Sequence, residues 1–198
     1  MDFVTAEMST TLIGLFLGIG LAAASGFRVF LPLFALSLAI HFNLGDYLGM
    51  DTLSEDFLWL GSWAALITLG VATLVEILAY YIPFIDNLLD TLAVPLAAIA
   101  GTLLVASQLV DMPEMLTWSL AIIAGGGTAA TIGLSTTAAR ATSSGTTAGT
   151  GNFIVSTIET VSAVVMSILS FILPLIAFIA AVCMLIGGFF FYKYLRRR

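Results

Sequence analysis

The chain has 198 residues, of which 60% are hydrophobic and 9% charged, against roughly 25% charged in soluble domains, and its mean hydropathy is +1.12. These values exclude a soluble globular domain and leave one membrane domain over 1–198, with room for six or seven spans of roughly 20 residues each. A net charge of -6 without a basic face argues against nucleic acid as a partner; a single cysteine, Cys183, rules out an intrachain disulfide and argues against a thiolate metal centre.

The first residues carry Asp2 and Glu7 and lack the basic n-region of a secretory signal, so the first apolar stretch is expected to stay in the mature chain. Residues 12–44 are apolar apart from Ser25, Arg28, Ser37, His41 and Asn43, and are interrupted by Gly26 and Pro32. That length is too great for one upright helix, so we expect a span ending near Ser25 and Gly26. Residues 27–42 then form either a full span or a half-depth re-entrant piece. Asp46, Asp51, Glu55 and Asp56 make an acidic loop.

Residues 57–84 read as a long span containing Glu76 and stopped at Pro83, followed by a turn at Asp86, Asn87 and Asp90. Residues 91–110 form the next span, with Pro95 near its start, and Asp111 to Glu114 make a second acidic turn. Residues 116–139 return through the membrane into a polar tract. Residues 153–173 and 174–192 are the last two spans. The expected fold is all-α and polytopic.

Four of the six basic residues, Lys193, Arg196, Arg197 and Arg198, form the tail. The positive-inside rule therefore puts the C-terminus in the cytoplasm. With seven crossings the N-terminus lies outside, and Arg28 falls on the cytoplasmic side. With six it lies inside. A weak repeat favours six: an apolar helix, an arginine, a glutamate helix and a proline helix occur over 9–110 and again over 115–195. Three crossings per half would make the halves inverted repeats, each with a re-entrant or broken segment, an arrangement common in secondary transporters.

Glu76 and Glu159 lie inside apolar spans, and intramembrane carboxylates are expensive enough to be functional candidates by default. Thr73, Glu76 and Tyr80 share one helical face, and Glu159 shares another with Asn152, Ser156, Ser162 and Ser170. The plainer alternative is that each acid is protonated or paired and only fixes helix packing. Arg28 and Arg140 cannot lose their charge in lipid and need a carboxylate, backbone carbonyls or an anion, unless they snorkel to the interface. Residues 142–152 hold six Thr or Ser, namely Thr142, Ser143, Ser144, Thr146, Thr147 and Thr150, together with glycines and Asn152. Such a tract lines a cavity or serves close helix packing, and the number of hydroxyls favours the cavity.

Gly125 to Gly127 is no nucleotide loop, since no strand precedes it and no lysine follows. Asp86, Asn87 and Asp90 are explained by helix capping, His41 as interfacial, and Trp59, Trp63, Trp118, Tyr47 and Tyr192 as an aromatic belt. No catalytic triad, His/Cys cluster or cofactor motif is present, so neither an enzyme nor a cofactor or metal is expected. The expected function is a small proton-coupled secondary transporter for a small or anionic solute. Arg28, Glu76, Arg140, Thr142, Ser143, Ser144, Thr146, Thr147, Asn152, Ser156 and Glu159 form its path around a midplane site. A passive channel and a non-transporting scaffold are the alternatives, and lipid, the solute and a possible second copy are the partners.

Three motifs carry a resemblance. They are Gly26-Phe27-Arg28-Val29-Phe30-Leu31-Pro32; Glu76 with Ile82-Pro83-Phe84-Ile85-Asp86-Asn87; and Gly149-Thr150-Gly151-Asn152 with Ser156 and Glu159. Together they resemble an uncharacterised family of small bacterial integral membrane proteins, described as a domain of unknown function. The resemblance implies that Arg28, Pro32, Glu76, Pro83, Asp86, Gly151, Asn152, Ser156 and Glu159 belong to the family pattern. Tyr80-Tyr81 departs from it, because similar proteins carry charge there.

Overall fold

The computed structural model describes residues 2–44, 53–82, 85–110, 112–147 and 150–195. Asp46, Tyr47, Asp51, Pro83, Phe84, Asp111, Gly149 and the three terminal arginines lie outside the described residues, as do the side chains of Asn87 and Tyr192. The described secondary structure is helical, as the composition requires. It comprises α1 (Asp2–Ser25), α2 (Phe30–His41), a 3-10 turn (Glu55–Gly61), α3 (Trp63–Ala79), α4 (Ile85–Ala106), α5 (Glu114–Thr147), α6 (Asn152–Ile172) and α7 (Pro174–Leu195).

Among the described residues three helices are long and apolar enough to cross a membrane: α4 over Leu88–Ala106, α5 and α6. The 3-10 turn and α3, bent by 65°, make a fourth if taken as one broken span. This break replaces the single span expected over 57–84. Its cause is local: Ser62 is extended and its hydroxyl accepts from the amide of Ala65, starting a new helix, while Gly61 lets the chain lie against Ile40 and His41.

The bundle is built around α1, whose residues 17–26 are buried on every side. An all-round apolar helix is stable only when enclosed, and small residues permit the enclosure. A Cβ added at Gly18 would stand 2.9 Å from the Cα of Val105 in α4. Small residues at helix crossings let backbones approach in this way. The same device joins α4 to α5, where a Cβ on Gly101 would lie 2.6 Å from the carbonyl oxygen of Gly125. There α5 is locally wound as a π-helix over Ala121–Gly126, a feature not foreseen.

Successive helices run in alternate directions. Glu76 near the end of α3 meets Val29 and Phe30 at the start of α2, while His41 at the end of α2 meets Gly61. Ser25 faces Ala97 and Gly18 faces Val105, so α1 and α4 are antiparallel. Arg28 meets Ser156 and Gly20 meets Ser170, which sets α6 antiparallel to α1. Consequently α1 and α5, which open the two candidate repeats, run the same way, whereas α3 and α6 run opposite ways. One inversion cannot relate the two sets, because the extra helix α2 stands between Arg28 and the Glu76 helix and reverses the chain. At 12 residues α2 is about 18 Å long, short of a hydrocarbon core of roughly 30 Å.

Two further expectations are corrected. The turn expected over Asp86 to Asp90 is the opening of α4, where acids near a helix N-terminus are favourable. The tract beyond Ala139 is not broken: α5 continues through it to Thr147, 34 residues and about 51 Å from its start.

Candidate functional site

The four charged residues singled out in the sequence meet at one end of the bundle. Arg28 stands in the link between α1 and α2, Glu76 on the last turn of α3, Arg140 on α5 and Glu159 on α6. They are 1%, 7%, 2% and 4% exposed, so the interfacial snorkelling alternative does not hold for the arginines within the protein. The cluster is not at the middle of the helices. Glu159 is seven residues into α6 and Arg140 seven residues from the end of α5, about 10 Å in each case.

Glu159 is the hub. Arg140 donates to it from both Nε, at 3.0 Å, and Nη2, and Arg28 Nη2 lies 3.6 Å from the same carboxylate. A forked pair of this kind is the strongest pairing a guanidinium makes. Arg28 also donates to Thr160 Oγ1 at 3.0 Å, and to Ser156 at its carbonyl oxygen, 2.9 Å, and its hydroxyl, 2.6 Å. Of the polar stripe read on α6, Asn152, Ser156, Glu159 and Ser170 are on its buried face, whereas Ser162 is only half-buried.

Glu76 plays a different part. Its two oxygens accept from the backbone amides of Val29, at 2.7 Å, and Phe30, at 3.0 Å. The first amides of a helix have no partner within it, and Val29 offers no side-chain cap. The Glu76 carboxylate supplies that cap from another helix and pins the chain break beside Arg28.

Tyr80, one turn beyond Glu76, lies between these groups. The guanidinium carbons of Arg28 and Arg140 are each 4.1 Å from the centre of its ring, well inside cation-π range. Asp90 on α4 adds an oxygen 3.6 Å from Arg140 Nε. Asn152 bridges Asp86, at 3.2 Å, and Ser144, at 2.8 Å. Two guanidiniums thus face four carboxylates, and among the described residues Arg28 Nη1, Arg140 Nη1 and Asn152 Oδ1 are buried without a hydrogen-bond partner.

Sequence reasoning had Tyr80 only as a companion of Glu76 and read Asp86 and Asp90 as caps. The i, i+4 spacing of Asp86 and Asp90 and of Glu76 and Tyr80 was the available signal. The hydroxyl tract contributes little. Thr142, Thr146 and Thr147 are exposed, and their hydroxyls donate to carbonyls one turn back. Ser143 is half-buried, and only Ser144 and Asn152 of the tract reach the cluster.

A cavity of about 470 Å³ opens to the surface between α5, α6 and α7, with Glu159 in its wall. A second, of about 560 Å³, lies at the opposite end and includes Asp56, Glu114, Trp59 and Trp118. The packed residues 17–26 of α1 lie between the two levels. Among the described residues no group of three or more His, Cys, Asp or Glu is placed to hold a metal.

No curated protein and no solved structure matches the chain. One family does, over a range that includes every residue of the cluster: the chain belongs to the family described as a domain of unknown function (DUF4126), which matches residues 15–194.

Proposed function

We propose that the chain is a small secondary transporter of the bacterial cytoplasmic membrane that moves an organic anion together with a proton. Its seven alternating helices would cross the bilayer with the N-terminus outside and the cluster near the cytoplasmic face. Arg28, Arg140 and Lys193 all fall toward that end, as the positive-inside rule favours. The alternation supports seven crossings over six. The shortness of α2 supports a thinned or locally hydrated bilayer beside it.

The observation that carries the reading is the double position of Glu159, held by both arginines yet part of the wall of an open cavity. A proton arriving on Glu159 removes its charge, and the arginines then take an incoming anion in its place. The charge of the buried site is the same before and after, so the exchange avoids the several kcal/mol that an uncompensated buried charge costs. Glu76, whose oxygens are held by backbone amides, acts here as a positioning residue rather than as the proton carrier. Cavities at both ends with a packed layer between them are the form expected of an occluded transporter.

The test is uptake of organic acids and phosphate esters into proteoliposomes under an imposed pH gradient, with Glu159→Gln beside the parent. The parent should accumulate solute. The variant should exchange it without accumulation, since its side chain no longer takes up and releases a proton. Accumulation by Glu159→Gln equal to the parent refutes the coupling. The mutual ion pairing of the cluster supports one other reading, a membrane scaffold without transport, which folded protein with no flux across the panel would favour.

A further inference from the structure

The cavity beside Glu159 has walls that a hydrophilic ion does not require. Its volume of about 470 Å³ lies within the roughly 300–1,000 Å³ of small-molecule sites, and Phe27, Ile132, Ile158 and Met184 give it an apolar surface. The two hydroxyls on that surface are already satisfied, Ser135 by the carbonyl of Thr131 at 3.0 Å and Thr136 by that of Gly133 at 2.9 Å. Glu159 is the one ionisable residue among those lining it. The cavity is thus a dry slot that ends on a carboxylate held by two buried arginines.

We propose that this slot binds an amphiphilic organic acid, with the hydrocarbon tail along the α5, α6 and α7 walls and the carboxylate on the guanidiniums of Arg28 and Arg140. The inference rests on the reading that Glu159 yields its arginines, and it names the class of anion that takes them. Charge decides the sign of the head group. Both oxygens of Glu159 are engaged, and each arginine keeps one buried nitrogen without a partner, so the donors left over lie on the arginines although four carboxylates surround them. Once Glu159 is protonated, a carboxylate matches the guanidinium fork it gives up, while a cationic head would face two like charges. The apolar wall decides the tail, since each methylene buried there leaves water and a short hydrophilic acid has none to bury.

The tail also predicts where added bulk blocks binding. Ala139 and Gly187 both line the slot, and a Cβ at Gly187 meets no atom within 4 Å. Gly187→Phe therefore adds volume without a clash at its root.

The experiment is equilibrium binding of radiolabelled decanoate to the purified full chain in detergent, with native mass spectrometry for stoichiometry. One decanoate should bind per chain. Acetate and decyltrimethylammonium should fail to compete. Ala139→Phe and Gly187→Phe should each weaken binding at least tenfold, and Glu159→Gln should tighten it at least tenfold by leaving the arginines to the ligand. Competition by acetate equal to decanoate, preference for the cationic amphiphile, insensitivity to both Phe variants, or a second copy of the chain seated in place of decanoate would each overturn the proposal. Saturable decanoate binding without flux removes the transport reading alone. Proton-driven flux of hydrophilic acids without decanoate binding removes this inference alone.

Discussion

Replacing Glu159 by Met should leave two buried guanidiniums short of a counter-charge, and the cost can be read from what each retains. Arg28 keeps three donor contacts to Ser156 and Thr160 and is not stranded. Arg140 keeps Asp90 at 3.6 Å and the Tyr80 ring at 4.1 Å but loses its forked pair. Breaking a buried pair from one side costs about 3–5 kcal/mol, and the residual Asp90 contact puts this case near the lower end. Replacing Arg140 by Met should cost a similar amount, because Glu159 then keeps Arg28 alone at 3.6 Å. The double variant removes both charges and should recover much of the loss, giving a coupling of about 2 kcal/mol or more, since an apolar pair of similar volume often substitutes without penalty. For a chain of this length, 1 kcal/mol shifts Tm by roughly 2–4 °C, so each single variant should melt about 6–20 °C lower. Thermal unfolding in detergent, followed by tryptophan fluorescence, measures all four proteins. Losses that add to within about 0.5 kcal/mol would mean that the Arg140–Glu159 pair does not organise the cluster.

Three further outcomes follow from the same geometry. Glu76→Gln turns an amide donor toward the Val29 and Phe30 amides, so it should cost about 1–3 kcal/mol and speed hydrogen exchange at those two positions; unchanged exchange there would refute the cap. Tyr80→Leu removes a ring that two buried guanidiniums share, a loss of about 2 kcal/mol or more, whereas Tyr80→Phe should retain most of the stability; equal losses in unfolding measurements would place the effect on the hydroxyl. Thr142→Val and Thr146→Val, on the exposed face of α5, should stay within about 0.5 kcal/mol of the parent and leave flux unchanged, and a fall in flux would return the tract to the path.

The parts legible in the sequence were those that composition makes costly to place otherwise. Arg28, Arg140, Glu76 and Glu159 stand out because ionisable groups in apolar helices need partners, and the structure brings them together within one buried cluster. The stripe from Asn152 to Ser170 was legible because its spacing follows one helix face. Partner choice was not. Repeat logic offered either glutamate to either arginine, yet Glu76 is taken by backbone amides freed at Val29 and Phe30; Gly26 and Pro32 announced the break, but not which side chain would reach the amides it frees. The hydroxyl tract misled for a related reason. Thr and Ser bond readily to the carbonyl one turn back, so a run of them extends a helix as well as it lines a cavity, and α5 takes the first course to Thr147.

The position of the cluster changes what a transport cycle has to move. A midplane site could open to either side by small rearrangements around it, but this one lies about 10 Å from the ends of α5 and α6. The opposite cavity at Asp56 and Glu114 is separated from it by the fully buried stretch of α1 from residue 17 to residue 26. On the proposed transport reading, a proton would reach Glu159 from the near end across about two helical turns, whereas a solute bound there would meet that packed layer before the far cavity. The layer owes its tightness to crossings such as Gly18 on Val105 and Gly101 on Gly125, which rest on van der Waals contact without side-chain hydrogen bonds. The second crossing falls on the π-helical turn of α5, a winding that recurs at functional sites. The charged end is thus held by ion pairs and hydrogen bonds, whereas the layer between the two cavities is held by close backbone contact at Gly18 and Gly101.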